Sequence, residues 1–405
     1  MTHPNTIVQT RTIGLLLVGG IHHILHLVPV ATELEKEVNT HIIVYVKSDE
    51  EKTACQNILA GLGAKRTAVE ILKPNALARI LSPKLSFLFS NLKIWKNLDA
   101  LIVAERTSTI LRYVTKQLPP FIHIPHGAGD GAKSYDRRIR HFDHVLVAGE
   151  KDKRRMIELG LVQNENCHVT GYIKPYAVKY INPVSPSVFD NARPVVLYNP
   201  HFCEDLSSWR EFGFNLLEAF GRNRDMNFIV APHIRFAKKQ DRESIDAIKA
   251  YSKYENIHVD LGSAKSCDMT YTRSADIYLG DVSSQVYEFL SVPKACVFLT
   301  SAKTQWRDNP DFAHWRYGPV CHSVEAVMAA LSRASIDLPD YAQAQTQGCF
   351  DATGHPSWNP IELAGEAVNS IMAGHPSGLI FKDNSNQEHH HNKLNTGSQN
   401  RCPTY

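Results

Sequence analysis

The chain has 405 residues, of which 43% are hydrophobic and 21% are charged, and its formal net charge is +3. This length exceeds what one compact core holds and predicts two domains of ordinary size. So small a net charge gives no support to a nucleic-acid-binding function. The eight cysteines are scattered and form no CxxC pair, which argues against a zinc ribbon and a disulfide framework.

The first apolar run is IGLLLVGGI, residues 13 to 21, and it leads into His22, His23 and His26. The run is too short to span a membrane and lacks the pattern of a secretory signal, so we predict a cytoplasmic protein. Its glycines lack the GxGxxG spacing of a dinucleotide site. His22 and His26 are four residues apart, as in some metal sites, but the glutamate of an HExxH motif is missing. Packing or capping is the favoured interpretation of these histidines, and no metal site is predicted.

Short apolar strand candidates alternate with helical segments along nearly the whole chain. TIGLLLVG, THIIVYV and LDALIVA are examples in the first half, and RPVVLYNP, NFIVAP and ADIYLG are examples in the second. Such alternation, with continuously apolar strands, is typical of parallel sheets covered on both faces. The pattern occurs twice. We therefore predict an α/β protein with two Rossmann-like, doubly wound domains facing each other across a cleft.

The segment LARILSPKLSFLFSNLKIWKNL, residues 77 to 98, places lysines among large apolar residues. One interpretation is a segment that rests on an anionic membrane surface. The other, which we favour, is a core-facing helix pair whose lysines extend to water.

The loop IPHGAGDGAK, residues 124 to 133, places His126 directly after a strand candidate. Gly127 and Gly129 follow, and glycine lets the backbone come close to a bound ligand. The loop is either an exposed turn or the mouth of a site for an anionic ligand.

The domain boundary is predicted in YINPVSPSVFDNARP, residues 180 to 194, because this segment is rich in proline and has little periodicity. The N-terminal domain then covers residues 1 to 182 and the C-terminal domain residues 183 to 374. Residues 375 to 405 are polar, so we predict a disordered tail.

Two segments of the second half place polar side chains after strand candidates. NFIVAPHIR delivers His233 and Arg235, which suit a phosphate, although a surface loop is equally compatible. SADIYLGDVSSQVYEFL delivers Asp281, Ser283 and Ser284 where a helix is predicted to begin. A helix start favours an anion, and an ordinary N-cap is the alternative. Ligands of open α/β sheets bind at the carboxyl ends of strands, so both segments are candidates for one site.

The segments VVLYNPHF, NFIVAPHIR, NIHVDL and SADIYLGDVSSQVYEFLSVPKACVFL follow one another within residues 194 to 300. In order and spacing they resemble the CDP-glycerol:glycerophosphate glycerophosphotransferase family of teichoic-acid-type enzymes. Residues 120 to 175 resemble the family less closely, with IPHGAGDGAK in place of its WHGTPLK motif. The resemblance implies a GT-B architecture, with the nucleotide bound mainly by the C-terminal domain.

The resemblance also implies roles for individual residues. His126 corresponds to the general base and His233 to a histidine that contacts the donor phosphates. The other donor positions that it implies are Asp281, Ser283 and Ser284 at the pyrophosphate and Glu288 at the ribose. Arg235 is added as a phosphate contact because it follows the same strand candidate as His233. Candidates for the acceptor side are His22, His23, His26, Gly127 and Gly129.

The implied reaction transfers glycerol phosphate from CDP-glycerol to a hydroxyl of a glycan, polyol-phosphate or lipid-linked acceptor and releases CMP. No cofactor is implied, and acceptor binding at the inner face of the membrane is compatible with this activity. The sequence departs from the family in four places: Pro125 replaces tryptophan, AGDG replaces TPLK, His201 replaces threonine and Val282 replaces tyrosine. A GT-B glycosyltransferase that uses a nucleotide sugar therefore stays open, as does a catalytically inactive nucleotide-binding protein.

Overall fold

The computed structural model describes residues 10 to 73, 82 to 300 and 304 to 374. The predicted tail and the first part of the 77-to-98 segment lie outside these residues. Two parallel sheets, each with helices around it, form the described part of the chain. The predicted α/β class and the two doubly wound domains are confirmed.

The N-terminal sheet has seven parallel strands in the order β3-β2-β1-β4-β5-β6-β7. The strands are β1 (Arg11–Leu16), β2 (Thr40–Val46), β3 (Ala68–Ile71), β4 (Ala100–Val103), β5 (Phe121–His123), β6 (His144–Val147) and β7 (Cys167–Val169). The helices are α1 (Ile24–Leu27), α2 (Val30–Leu34), α3 (Asp49–Gly61), α4 (Pro83–Ser90), α5 (Leu92–Lys96), α6 (Leu111–Val114), α7 (Glu150–Glu158) and α8 (Ile173–Ile181). All four residues of β4 are buried, as expected of a central strand covered on both faces.

The C-terminal sheet has six parallel strands in the order β10-β9-β8-β11-β12-β13. The strands are β8 (Val195–Asn199), β9 (Asn227–Val230), β10 (Ile257–Val259), β11 (Ile277–Gly280), β12 (Ala295–Leu299) and β13 (Val320–Cys321). The helices are α9 (Trp209–Arg222), α10 (Arg242–Lys249), α11 (Thr270–Ser274), α12 (Gln285–Phe289), α13 (Val324–Thr353) and α14 (Pro360–Met372). Strand order reverses between β1 and β4 in the first sheet and between β8 and β11 in the second. Each sheet therefore has a switch point, the place at which open α/β sheets generally bind their ligands.

The last helix does not belong to the domain to which the sequence analysis assigned it. The α13 helix ends before Gly354, which has a φ of 84°, and Asn359 then caps α14 by accepting from the N–H groups of Ile361 and Glu362. The apolar face of α14 is buried in the N-terminal core beside α2. Gly365 permits this contact, because a Cβ there would lie 2.4 Å from the Cγ of Glu33. The predicted range 183 to 374 for the C-terminal domain is therefore too long by this helix.

The helices α4 and α5 carry the described part of the segment for which membrane contact was considered. Phe87, Leu88 and Trp95 are buried in the N-terminal core, and Lys93 and Lys96 are exposed. This packing favours the core-facing interpretation. No helix in the described ranges is long and apolar enough to cross a membrane.

Candidate functional site

The two switch points face each other, and a cluster of histidines lies between them. His22, His23 and His26 follow β1, and His126 follows β5 in the N-terminal domain. His201 follows β8 and His233 follows β9 in the other. Burial is the main cause that lowers the pKa of His22 and of His126, and the charge of Arg235 on the other side of the cleft lowers both further. The structure thus brings together the histidine and arginine candidates of both halves of the sequence.

His126 is held as one tautomer. Its Nδ1 lies 2.7 Å from the carbonyl oxygen of Ala104, at the end of β4. A carbonyl only accepts, so Nδ1 carries the proton and Nε2 keeps its lone pair. Burial, with the charges of Arg106 and Arg235, lowers the pKa of His126 to about 4, so the ring is neutral near pH 7. His126 therefore presents a proton acceptor.

His201 and His233 are held as the opposite tautomer. The Nδ1 of His233 accepts from the backbone N–H of Arg235 at 3.1 Å, and the Nδ1 of His201 accepts from the N–H of Cys203 at 3.0 Å. Their Nε2 atoms therefore carry the protons while the rings are neutral. Burial lowers the pKa of His201 to about 4 and that of His233 well below its usual value. Both rings are hydrogen-bond donors at the carboxyl ends of neighbouring strands.

Basic side chains surround the aromatic ring between these two histidines. Lys133 from the N-terminal domain and Arg235 and Lys239 from the C-terminal domain each lie 5.5 to 5.6 Å from the centroid of the Phe202 ring. The ring of Phe202 lies 4.5 Å from that of His233. Three cations and two N–H donors thus converge at the ends of β8 and β9, an arrangement suited to a phosphate.

The glycine loop, residues 126 to 131, packs directly on Ser284 of the other domain. Gly127 has a φ of 150°, and a Cβ there would lie 3.1 Å from Ser284 Oγ. At Gly129 a Cβ would lie 3.0 Å from Ser284 Cβ. The backbone conformation at Gly127 favours glycine, and at both positions a larger residue would crowd Ser284. The helix that follows, α12, has five residues, so its dipole contributes little and the helix start is not by itself a phosphate site.

Asp130 joins the glycine loop to the C-terminal domain. Its buried carboxylate accepts from Lys151 Nζ at 2.6 Å, from Tyr287 OH at 2.9 Å and from His314 Nδ1 at 2.7 Å. Burial alone would raise the pKa of Asp130, but Lys151 and His314 hold it below its usual range. His314 Nε2 lies 3.0 Å from the carbonyl oxygen of Asp281, so the link continues to the loop after β11.

Asp281 is a positioning residue in this geometry. Its buried carboxylate accepts from the N–H groups of His201, Ser208 and Val282 and from the hydroxyl of Ser208, at 2.7 to 3.1 Å. Burial raises its pKa to about 6. These bonds engage both carboxylate oxygens, so Asp281 holds the His201 loop in place rather than facing a pyrophosphate. Ser283 lies beside it, and its Oγ accepts from the N–H of Gln285 at 3.3 Å.

Glu288 likewise bonds to protein. Lys174 Nζ lies 2.7 Å from Glu288 Oε1, and Tyr172 OH donates to the same oxygen at 3.1 Å. Both side chains of the ion pair are 5% exposed. The pair joins α8 to α12 across the domain interface.

Sequence reasoning missed His201 as a site residue, although it follows a strand as His233 does. The same rule could have found it. Asp130 and His314 are 184 residues apart and carry no local signal of their contact. Lys133 and Lys239 read as ordinary surface lysines.

Solved structures of 13 to 17% identity share the fold. The wall teichoic acid polymerase TagF, soaked with CDPG, has a TM-score of 0.60 at 13% identity, covering 90% of this chain and 89% of that one. UDP-GlcNAc 2-epimerase from Neisseria meningitidis bound to UDP-GlcNAc has a TM-score of 0.61 at 15% identity, covering 90% and 100%. The MnaA–UDP structure from S. aureus has a TM-score of 0.59 at 17% identity, covering 89% and 96%. No family model matches the sequence, and no curated protein sequence matches it. These likenesses establish the GT-B fold and leave the family open.

Proposed function

We propose that the protein is a transferase that binds a nucleotide-linked donor in the cleft and passes part of it to an acceptor hydroxyl. The observation that carries this proposal is that the histidines of the cleft are held as two different tautomers. His126 presents a lone pair at Nε2, whereas His201 and His233 present N–H groups. Transfer to a hydroxyl requires both a proton acceptor for the hydroxyl and donors for the phosphate charge.

The donor that we favour is CDP-glycerol. The acceptor oxygen attacks the β-phosphorus, a new P–O bond forms, and the bond from that phosphorus to the bridging oxygen breaks. The electron pair leaves with CMP, and the hydroxyl proton passes to Nε2 of His126. The N–H groups of His201 and His233 and the guanidinium of Arg235 stabilise the negative charge on the phosphates.

In this proposal the remaining predicted residues hold other groups in place rather than take part in the reaction. Asp281 holds the loop that carries His201, and Ser284 packs on the glycine loop. Gly127 and Gly129 keep His126 close to the C-terminal domain. His22, His23 and His26 lie on the N-terminal, acceptor side. The acceptor hydroxyl belongs to a glycan, to a polyol phosphate of a cell-surface polymer or to a lipid-linked saccharide.

TagF soaked with CDPG supports the cytidine donor. The second candidate is a glycosyltransferase that uses a nucleotide sugar, because two structures of the same fold are complexes with UDP-GlcNAc and UDP. The same phosphate donors would then hold a nucleotide diphosphate as leaving group. An inactive nucleotide-binding protein is the third candidate, and it differs from both by binding a donor without turnover.

The first test is a thermal-shift panel of CMP, CDP-glycerol, UDP, UDP-sugars and GDP-sugars. A ligand that binds only the folded state raises Tm according to its occupancy. We expect the cytidine compounds to raise the Tm of wild type, and Arg235→Ala to lose most of this shift. Arg242→Ala, on the exposed face of α10, is the matched control and keeps it. A shift with uridine or guanosine compounds alone would favour the glycosyltransferase.

The second test is CMP release from CDP-glycerol, with glycan, glycerol-phosphate polymer and lipid-linked acceptors supplied in turn. We expect His126→Ala to keep donor binding and to lose about 10²- to 10⁴-fold in rate, the usual contribution of a general base. A folded His126→Ala variant with full transfer activity would refute the assignment.

A further inference from the structure

His22, His23 and His126 form a compact group of imidazoles, which we call the three-histidine cluster. Each residue brings one ring nitrogen to within 4.8 Å of the nitrogens of the other two. The rings of His23 and His126 have centroids 4.2 Å apart, as do those of His22 and His23. Within the described ranges, no other group of three or more His, Cys, Asp or Glu side chains converges in this way.

Gly19 makes room for the central ring of the cluster. A Cβ on Gly19 would lie 1.8 Å from Cε1 of His23, so any larger residue would displace the imidazole. His23 is 3% exposed, and its Nδ1 is buried with no hydrogen-bond partner in the protein. Buried polar atoms are normally satisfied, so the partner of this nitrogen is a water molecule or an ion rather than a protein group.

The hydrogen bond of His126 also suits a metal ligand. Histidines that bind metals usually donate their second ring N–H to a carbonyl or a carboxylate, which orients the ring. The Nδ1 of His126 makes this bond to the carbonyl oxygen of Ala104 at 2.7 Å. Its Nε2 lone pair is then directed by the fold rather than by free rotation of the side chain.

We infer that the three-histidine cluster is a binding site for a transition-metal ion of the Zn²⁺ type. Imidazole is a good ligand for zinc, and three protein ligands with an open fourth position form a recurrent zinc geometry. With Zn–N bonds of about 2.0 to 2.1 Å, tetrahedral ligands lie about 3.3 Å apart, so the rings must rotate inward by roughly 1 Å. His22 is only partly buried and is the least restrained of the three, so most of this movement falls to its ring.

The surroundings determine what the fourth ligand is and how tightly the ion binds. Positive charge from Arg235 and Lys84 reaches His22 and His126, which opposes a cation. An anionic fourth ligand, such as hydroxide or a phosphoryl oxygen, offsets that charge. We therefore expect an exchangeable site rather than a structural one.

Zinc and the proposed proton transfer compete for one atom. Coordination uses the Nε2 lone pair of His126, so a bound ion removes the general base. The inference does not rest on the proposed function, because it concerns binding by three side chains in the absence of donor. If the protein also catalyses the proposed transfer, Zn²⁺ inhibits that reaction and a chelator restores it.

The test is equilibrium dialysis of the full chain against Zn²⁺, with the bound metal measured by atomic emission. We expect wild type to hold one more equivalent than His22→Gln, whose affinity at this site falls more than about 100-fold, since even second-shell changes cost 10- to 100-fold. His258→Gln is the matched control. It removes a half-buried histidine of the C-terminal domain whose Nε2 is hydrogen-bonded to Tyr271 OH. This variant should keep the wild-type zinc stoichiometry. Equal binding by wild type and His22→Gln would overturn the site.

A second measurement covers the case in which His22→Gln does not fold. Co²⁺ added to wild type gives strong visible d–d absorption in a tetrahedral site and weak absorption in an octahedral one. We expect the strong band, and we expect one equivalent of Zn²⁺ to abolish it. A weak spectrum at saturation would overturn the inference.

The two proposals fail in different ways. If Zn²⁺ binds at the cluster and accelerates CMP release, the metal site stands and the role of His126 as general base falls. If His126→Ala abolishes transfer but wild type and His22→Gln bind zinc equally, the general base stands and the metal site falls.

Discussion

Replacement of Asp130 by asparagine tests whether the glycine loop is held to the second domain by one buried carboxylate. The substitution keeps the size of the side chain and removes its charge. Lys151, whose side chain is 15% exposed, and the buried His314 then lose their anionic partner. Breaking a buried ion pair on one side costs about 3 to 5 kcal/mol, because the remaining charge is left without compensation.

The effect on melting follows from the size of the chain. Unfolding entropy is about 2.1 cal/mol/K per residue, so a cooperative transition of the whole chain would shift by roughly 4 to 6 °C for this loss of free energy. Differential scanning calorimetry measures the shift. Donor affinity should fall as well, because His314 links Asp130 to Asp281, and Asp281 positions the loop that carries the proposed phosphate donor His201.

The matched control is Asp351→Asn, which breaks the ion pair with Arg154 between the same two domains. That pair lies at the surface, with side chains 57% and 33% exposed, and exposed pairs contribute about 0 to 1 kcal/mol. We expect a shift of at most about 1 °C. If Asp130→Asn melted within 1 °C of wild type, or if both variants shifted equally, the buried-carboxylate explanation would be refuted.

Three further substitutions test other parts of the interface. Gly129→Ala places a Cβ 3.0 Å from that of Ser284, so we expect a loss of about 1 kcal/mol in chemical denaturation and weaker donor binding in the thermal-shift assay. Glu288→Gln and Lys174→Met should each cost about 3 to 5 kcal/mol, and the double variant less than their sum; additive losses would contradict a direct pair. Asp281→Asn tests a pH dependence. Burial raises the pKa of Asp281 to about 6, so its protonation stabilises the fold fully below about pH 4, and this contribution is lost as pH rises through 6. The stability difference between wild type and the variant should therefore change over that interval by about 3 kcal/mol, and a constant difference from pH 4 to 7 would contradict it.

Local patterns were sufficient for the fold class. The continuous apolar runs that predicted strands became β1, β2, β4, β8, β9 and β11, because a strand covered on both faces needs apolar residues at every position. The rule that ligands bind after the carboxyl ends of strands also selected His126, His233 and Arg235, which the structure brings to one cleft.

Local patterns were insufficient wherever a residue depends on a distant partner. Asp281 and Glu288 were predicted at a pyrophosphate and a ribose, and the structure gives their carboxylates protein partners instead. The α14 helix was assigned to the second domain, since nothing in its sequence specifies which core covers its apolar face. Its partner, α2, lies more than 300 residues earlier in the chain.

By itself, then, the sequence determined the two parallel sheets and the position of the histidines and the arginine at strand ends, because periodicity and strand-end position are properties of short segments. Only the tertiary structure decided the tautomers of His126, His201 and His233, because each depends on the backbone group that the fold places beside one ring nitrogen. It also decided the bond between Asp130 and His314, which are 184 residues apart. A hydrogen bond needs its partner within about 3 Å, and only the packing of the two domains sets that distance.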